Sequence, residues 1–432
     1  MLNYEIRVLR QEEKVLTRAL YEEAFPEDTP PLVDFYYRYR MSENRVYAAL
    51  RTKDAEPAGG EEARAAGDTG PSAGSSGSET PVTEAGRRLL PSDVIGMTCL
   101  NPYRVLYGGR ECRISYLSAV ATAKAHRREG IMRKYLTAIL RDECRRGAPF
   151  TFLEPADPAY YLPFGFAYAA DVRHLALRRD AEAERVVLRQ EEAGAFSYVH
   201  AETGSPEKGA AGGGSGGNAA DAARRQLRGE LLKCLNRYLS ERYAVFAVRD
   251  EHYLTNLLAE LSAGGGRAEV FLSPAGDGSG QRTLSGVCFR DFADEPDEDA
   301  RFFAEERIAA ETKENSPFAM VRITNLPEFL RPVRLHASCP GSRTRLFRFR
   351  DPQIPYNDGI WRWTLSGNGS SLRKLPDRES CTAKELESTG SLPDMTPGAL
   401  AQWAFSYAAS PADVPWLKEA EPAGAAYFDE ET

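Results

Sequence analysis

A strand, a turn, a helix and a second strand follow one another between Tyr116 and Leu153, and this unit limits the fold more than any other stretch. Tyr116 to Ala123 reads as a buried strand, and His126 to Gly130 as a turn. From Arg128 to Arg146 the spacing predicts a helix, with Ile131, Met132, Tyr135, Leu136, Ile139, Leu140 and Cys144 on one face. Gly147 stands where a helix-ending glycine belongs, and Pro149 follows it. Phe150-Thr151-Phe152-Leu153 is the next strand. Such a crossover sets its two strands parallel and adjacent. The chain is therefore expected to be an α/β (α+β) protein with mixed sheets.

The 432 residues exceed what one core organises, so about two or three domains are expected. Residues 54–87 are rich in Ala, Gly, Glu, Ser and Pro, and 203–222 are rich in Gly and Ala. Lacking apolar area to offset ordering, both are expected to be disordered or flexible insertions. Arg45 to Leu50 and Val94 to Leu100 flank the first as strands, which makes it an overgrown hairpin loop. The second has glycines but no Gly-Lys-Ser/Thr, so it is no phosphate loop. A mixed region runs from 171 to 316, with helical stretches at Leu227–Tyr238 and Tyr253–Leu261 and strands near Ala268–Leu272 and Leu284–Arg290. Its acidic run Phe292–Glu306 lacks the D-x-D-x-D-G calcium spacing and reads as a solvated loop and helix face. A third region, 317–432, alternates strands with a helix over Gly398–Tyr407 that Thr396-Pro397 opens.

A net charge of −8 argues against nucleic acid as a partner and suits a cationic small molecule or an amine-bearing peptide. Neither a secretory leader nor an 18-residue apolar span is apparent, so a cytoplasmic protein without a membrane span is expected. The seven scattered cysteines contain no C-x-x-C pair, and no two histidines stand at i,i+4, so no metal is expected.

The turn carries the chemistry. Arg127, Arg128, Glu129, Gly130, Ile131, Met132 and Arg133 span a turn entering a helix, whose first N–H groups lack partners and whose dipole favours an anion. Gly130 permits close backbone approach. Val120, Ala121 and Thr122 lie on the strand just before it, where backbone groups can pair with an extended amide chain. A pyrophosphate followed by an extended amide arm describes coenzyme A.

The Arg127-x-x-Gly130 turn after a strand resembles the cofactor motif of the GNAT acetyltransferases, and Tyr161-x-x-Phe164-Gly165-Phe166 resembles the ending of that domain. The run Ser118 to Thr122 with His126-Arg127-Arg128, together with the chain length and tail, looks more narrowly like the enhanced-intracellular-survival (Eis) acetyltransferases. That resemblance implies two tandem GNAT-like domains, 1–170 and 171–316, the second without a cofactor motif. A sterol-carrier-like α/β domain, 317–432, follows them. It implies an acyltransferase moving acetyl from acetyl-CoA to an amine such as an aminoglycoside, a polyamine or a lysine side chain. It also implies a homo-oligomer, a hexamer in that family.

Carried over residue by residue, Val120, Ala121 and Thr122 face pantetheine and Arg127 through Arg133 face the pyrophosphate. Ala156 and Asp157 contact the cofactor from the following strand. Tyr161 is the general acid and the Thr432 carboxylate the general base. Phe25, Glu27 and Tyr37 line the acceptor side, where acidic and aromatic groups suit a cation. By position alone, Tyr161 also reads as a packing aromatic beside Tyr160, Phe164 and Phe166. Two departures stand out: Met132 replaces the usual Gly or Ala, and the tail Phe428-Asp429-Glu430-Glu431-Thr432 is acidic. Those carboxylates attract a polycation or keep the tail in solvent. The alternative function is a non-catalytic protein that binds acyl-CoA or an apolar ligand through its third region.

Overall fold

The computed structural model describes residues 3–52, 89–190, 196–200, 217–274, 282–292, 296–297, 299–376, 392–411 and 414–428. Of the two expected insertions, 54–87 and 203–216 lie outside these residues. The remainder of the second corrects the sequence reading, because 217–222 begin a helix, Gly217–Arg242. Alanines at 219, 220 and 222 are strong helix formers and continue the stretch expected only from Leu227.

Among the described residues nine strands make the central sheet. Six come early: β1 (Tyr4–Val8), β2 (Arg45–Arg51), β3 (Val94–Tyr107), β4 (Arg110–Thr122), β5 (Phe150–Leu153) and β6 (Ala167–Val172). Three come late: β7 (Val245–Ala247), β8 (Ser316–Ile323) and β9 (Ala426–Tyr427). The order is β1-β2-β3-β4-β5-β8-β6, with β7 on β3 and β9 on β7. β2 and β3 pair antiparallel, the hairpin expected around the first insertion. β3 and β4 turn at Gly108-Gly109, whose φ values of 58° and 75° only glycine adopts without strain.

The chain's three expected regions thus share one sheet. The position 170/171 falls inside β6 and 316/317 inside β8. β8 lies antiparallel between β5 and β6, with Val321 opposite Phe152 on one side and Ala167 on the other. Apolar residues at both faces of Ala319-Met320-Val321 suit this central place, and all three are buried.

A separate five-stranded antiparallel sheet contains Glu184–Gln190, Phe196–His200, Arg267–Pro274, Arg282–Arg290 and Arg301–Ala304. Leu231, Leu235 and Leu239 of helix Gly217–Arg242, and Leu254, Leu257 and Leu261 of helix Glu251–Gly264, cover one face. The expectation of a solvated loop and helix for Phe292–Glu306 is corrected here: Arg301–Ala304 is a buried strand. The paired aromatics Phe302 and Phe303 fill opposite faces, and Arg301 finds Asp291 as a partner.

The third region builds a four-stranded sheet from Ser342–Phe349, Gly359–Ser366, Gly369–Lys374 and Asp394–Met395. Its helix runs Pro397–Ala404, with the Thr396 hydroxyl accepting from the Ala399 N–H. Buried Phe347, Phe349, Trp363, Trp403 and Phe405 join the core of the large sheet without a break.

Candidate functional site

β4 and β5 are parallel neighbours joined at one position, Tyr116 with Phe152. From Leu117 onward β4 leaves β5. Opposite β3 the register slips: Cys99 faces Ser118 and Met97 faces Ala121. Ala119 and Val120 therefore share Thr98 as a partner, which makes a β-bulge, and Ala119 adopts a φ of 48°. Among the described residues the strand thus has no ladder partner on its β5 side at Val120, Ala121 and Thr122. Sequence reasoning missed Ala119, because alanine has no preference for the left-handed region and gives no signal.

The helix starts at Ile131, not at Arg128 as the spacing predicted. Arg128 and Gly130 both have positive φ, 67° and 77°, which breaks the helix before Ile131. Alternation of this kind curls the backbone so that successive N–H groups point into a concavity. Gly130 is the N-cap and supplies no side-chain hydrogen bond. The first amides of Ile131, Met132 and Arg133 are left to a ligand or water. A Cβ on Gly130 would meet nothing within 4 Å, so its conformation, not crowding, requires glycine.

Neighbouring groups hold the turn. The Arg127 Nε donates to the Thr122 carbonyl at 3.3 Å. The Lys124 N–H donates to Glu23 at 2.7 Å, and Arg51 meets His126 at 3.2 Å. Arg127, Arg128, Glu129 and Arg133 are exposed, Met132 is half-buried and Ile131 is buried. Gly96 of β3 lets the helix sit close: a Cβ there would lie 3.2 Å from Ile131 and from Tyr135. Tyr135 in turn donates to the Ala121 carbonyl at 3.3 Å, tying helix to bulged strand.

Tyr161 lies in the loop between β5 and β6. Ala156 is exposed, and the Asp157 carboxylate accepts from the Ala159 N–H at 2.9 Å, capping the short helix Pro158–Tyr160. The Tyr161 ring is buried and meets Phe166 at 5.8 Å. Burial pushes its phenol above the usual tyrosine range, with Tyr135 and Tyr160 adding to the effect. It is therefore a proton-loaded group at neutral pH. Among the described residues none hydrogen-bonds to its hydroxyl.

The N-terminal aromatics gather against the bulge. Phe25 packs on Tyr21 at 4.9 Å and Tyr37 meets Tyr21 edge-on at 5.8 Å. Tyr37 and Thr17 share a hydroxyl hydrogen bond of 2.8 Å. Tyr36 reaches Ser118 beside the bulge at 3.2 Å. Phe25, Tyr37, Ala119 and Ala123 pack on the same core cluster. Glu27 is exposed at its rim. Tyr21 donates to Asp28 at 2.7 Å, yet burial keeps the Asp28 carboxyl above its ordinary range, with Glu27 adding to this. The sequence reading passed over Tyr21.

The tail turns inward. β9 pairs parallel with β7, and Phe428 stacks on Phe152 at 4.6 Å, so the chain is buried here. Thr432 lies outside the described residues. A cleft of about 660 Å³ opens at the far end of the helix, between Gly147, Arg110 and Ser370, and contains none of the expected site residues. Among the described residues no three of His, Cys, Asp and Glu gather as a metal set, and no helix is long and apolar enough to cross a membrane.

Residues 84–169 match the family described as acetyltransferase (GNAT) domain. No curated protein sequence matches the chain. Among solved structures, a probable N-acyltransferase from Enterococcus faecalis V583 is similar with a TM-score of 0.57 and 12% identity, over 97% of this chain and 94% of that one. A GCN5-related N-acetyltransferase from Anabaena variabilis ATCC 29413 gives 0.57 and 10%, over 97% and 94%. Eis1 from Mycobacterium abscessus gives 0.50 and 12%, over 97% and 94%. At such identities the likeness is one of fold, and it extends over nearly the whole chain.

Proposed function

We propose that this chain, whose residues 84–169 belong to the GNAT acetyltransferase domain family, moves an acetyl group directly from acetyl-CoA to a primary amine. One observation carries the reading: an uncapped helix start with left-handed Arg128 and Gly130 directly follows a bulged strand edge. The first suits the pyrophosphate, at Arg127 through Arg133. The second suits the pantetheine arm, at Val120, Ala121 and Thr122. Ala156 and Asp157, which lie in the loop after β5 and not on the strand as expected, face the cofactor from there, Asp157 through its backbone because its carboxylate is engaged.

The chemistry needs a neutral amine, a proton acceptor for it and a proton donor for the thiolate. The amine nitrogen attacks the thioester carbonyl carbon, the C–S bond breaks and the sulfur takes up the Tyr161 hydroxyl proton. The Thr432 carboxylate takes the amine proton. A tail already buried at Phe428 favours this second role. Phe25, Glu27 and Tyr37 receive the amine, with aminoglycosides, polyamines and lysine side chains as the acceptor class. The same reading has residues 171–316 as a second GNAT-like domain, 317–432 as a sterol-carrier-like domain, and a cytoplasmic homohexamer.

Release of free thiol from acetyl-CoA in the presence of each amine class tests the function. Tyr161→Phe is expected to lower kcat by about 100-fold with cofactor affinity kept. Deleting residues 429–432 is expected to cost a similar factor, and a normal rate would remove the terminal carboxylate from the mechanism.

A further inference from the structure

We infer that Arg322 is a positioning residue for Tyr161, and that the third region shapes the acetyl-transfer site through it. This rests on Tyr161 acting as the proton donor. Arg322 sits in β8 and is 1% exposed. Its guanidinium is spent in three directions. Nε donates to the Phe164 carbonyl, Nη1 to the Ile323 carbonyl and Nη2 to the Asp351 carboxylate. The Phe164 N–H donates to the Tyr161 carbonyl at 2.9 Å, so Arg322 grips the turn one hydrogen bond from Tyr161.

The far end of the grip is as well held. Asp351 is fully buried and also accepts from the Ile354 N–H at 3.1 Å and the Asn357 amide at 3.0 Å. Asn357 donates to the Thr324 carbonyl at 3.0 Å and accepts from the Leu326 N–H at 3.0 Å. Both ends of β8's exit are thereby fixed to the third region. At the near end, Gly165 has a φ of 81°, and a Cβ there would stand 3.1 Å from the Arg322 Nε. The turn and the guanidinium fit only each other.

Cohesion alone does not require this arrangement. Apolar residues of like volume often replace a buried ion pair at no loss of stability. What they cannot replace is a rigid fork that fixes a backbone carbonyl in place. Tyr161 needs that placement, because among the described residues no hydrogen bond holds its hydroxyl and its ring is fixed by packing alone.

The paired variant Arg322→Met/Asp351→Leu removes the grip without leaving a buried charge alone. In the full-length protein it is expected to lower kcat about tenfold or more with the acetyl-CoA KM little changed, since small misplacements of a reacting group are costly, and to lower the melting temperature, because the Ile354 N–H and the Asn357 amide lose the Asp351 carboxylate. Combined with Tyr161→Phe, it is expected to add almost nothing to the loss from Tyr161→Phe alone. A folded variant with normal kcat, or losses that multiply in the combined variant, overturns the positioning role. A normal rate for Tyr161→Phe alone instead overturns the proton-donor assignment, and the two failures are told apart by that single variant. If the paired variant does not fold, Arg322→Lys, which keeps a cation beside Asp351 but has no fork to hold the Phe164 carbonyl, is measured and judged by the same outcomes.

Discussion

Two helices of this molecule end alike and begin differently. Ile131–Arg145 and Glu251–Gly264 are each followed by a left-handed glycine, Gly147 at 75° and Gly265 at 79°. The second helix begins at Asp250, whose carboxylate accepts from the Tyr253 N–H at 2.9 Å. The first begins at Gly130, which caps nothing. A helix start that uses its own side chain has spent its donors, and one that does not can hold an anion. The strands differ in the same sense. Arg267–Pro274 is paired on both sides, whereas β4 departs from β5 after Tyr116 and leaves an edge open. The region expected to lack a cofactor motif has closed both features that the first region leaves open.

The contrast is broken most severely by closing the first helix. Gly130→Asp places a carboxylate where the pyrophosphate is proposed to bind. Acetyl-CoA affinity is expected to fall about 100-fold, from lost charge-assisted hydrogen bonds plus repulsion, as titration calorimetry would read. Unchanged affinity would remove the turn from the binding site. Next in size, Gly96→Ala pushes a Cβ against Ile131 and Tyr135, both buried, and is expected to cost about 1–3 kcal/mol in denaturant unfolding. Opening the second helix has a smaller effect. Asp250→Ala is expected to cost about 1 kcal/mol of stability while turnover stays normal. A changed kcat there would mean that the second region takes part in catalysis.

The smallest expected effect is a flat pH profile. An acid must be protonated to donate, and burial raises the Tyr161 phenol above its ordinary value of 10.0. The donor therefore stays loaded as pH rises, and kcat is expected to hold from about pH 8 to about pH 10. A fall centred on the ordinary phenol value would show that a solvent-exposed group donates the proton instead.

Much of the first region was legible before any coordinates. The apolar periodicity from Ile131 to Cys144, the Gly147 stop and the strand at Phe150 are short-range signals, and each stands as read. The helix start was read three residues early, because Arg128 is a good helix former and nothing in the sequence announces its positive φ. Arg301–Ala304 was misread because its charged surroundings outweighed Phe302 and Phe303. Arg322 gave no local signal, since its partners lie 29 residues downstream at Asp351 and 158 upstream at Phe164.

The sequence by itself determined the turn that begins with Arg127, the helix that follows it and the strand on each side. Those features depend on backbone preference and on contacts between residues a few positions apart. Tertiary structure alone decided that β8 completes the sheet beside Tyr161, that β4 bulges at Ala119 and parts from β5, and that Phe428 is buried against Phe152. Strand register and the packing of distant segments depend on partners tens to hundreds of residues away, and no local pattern encodes them.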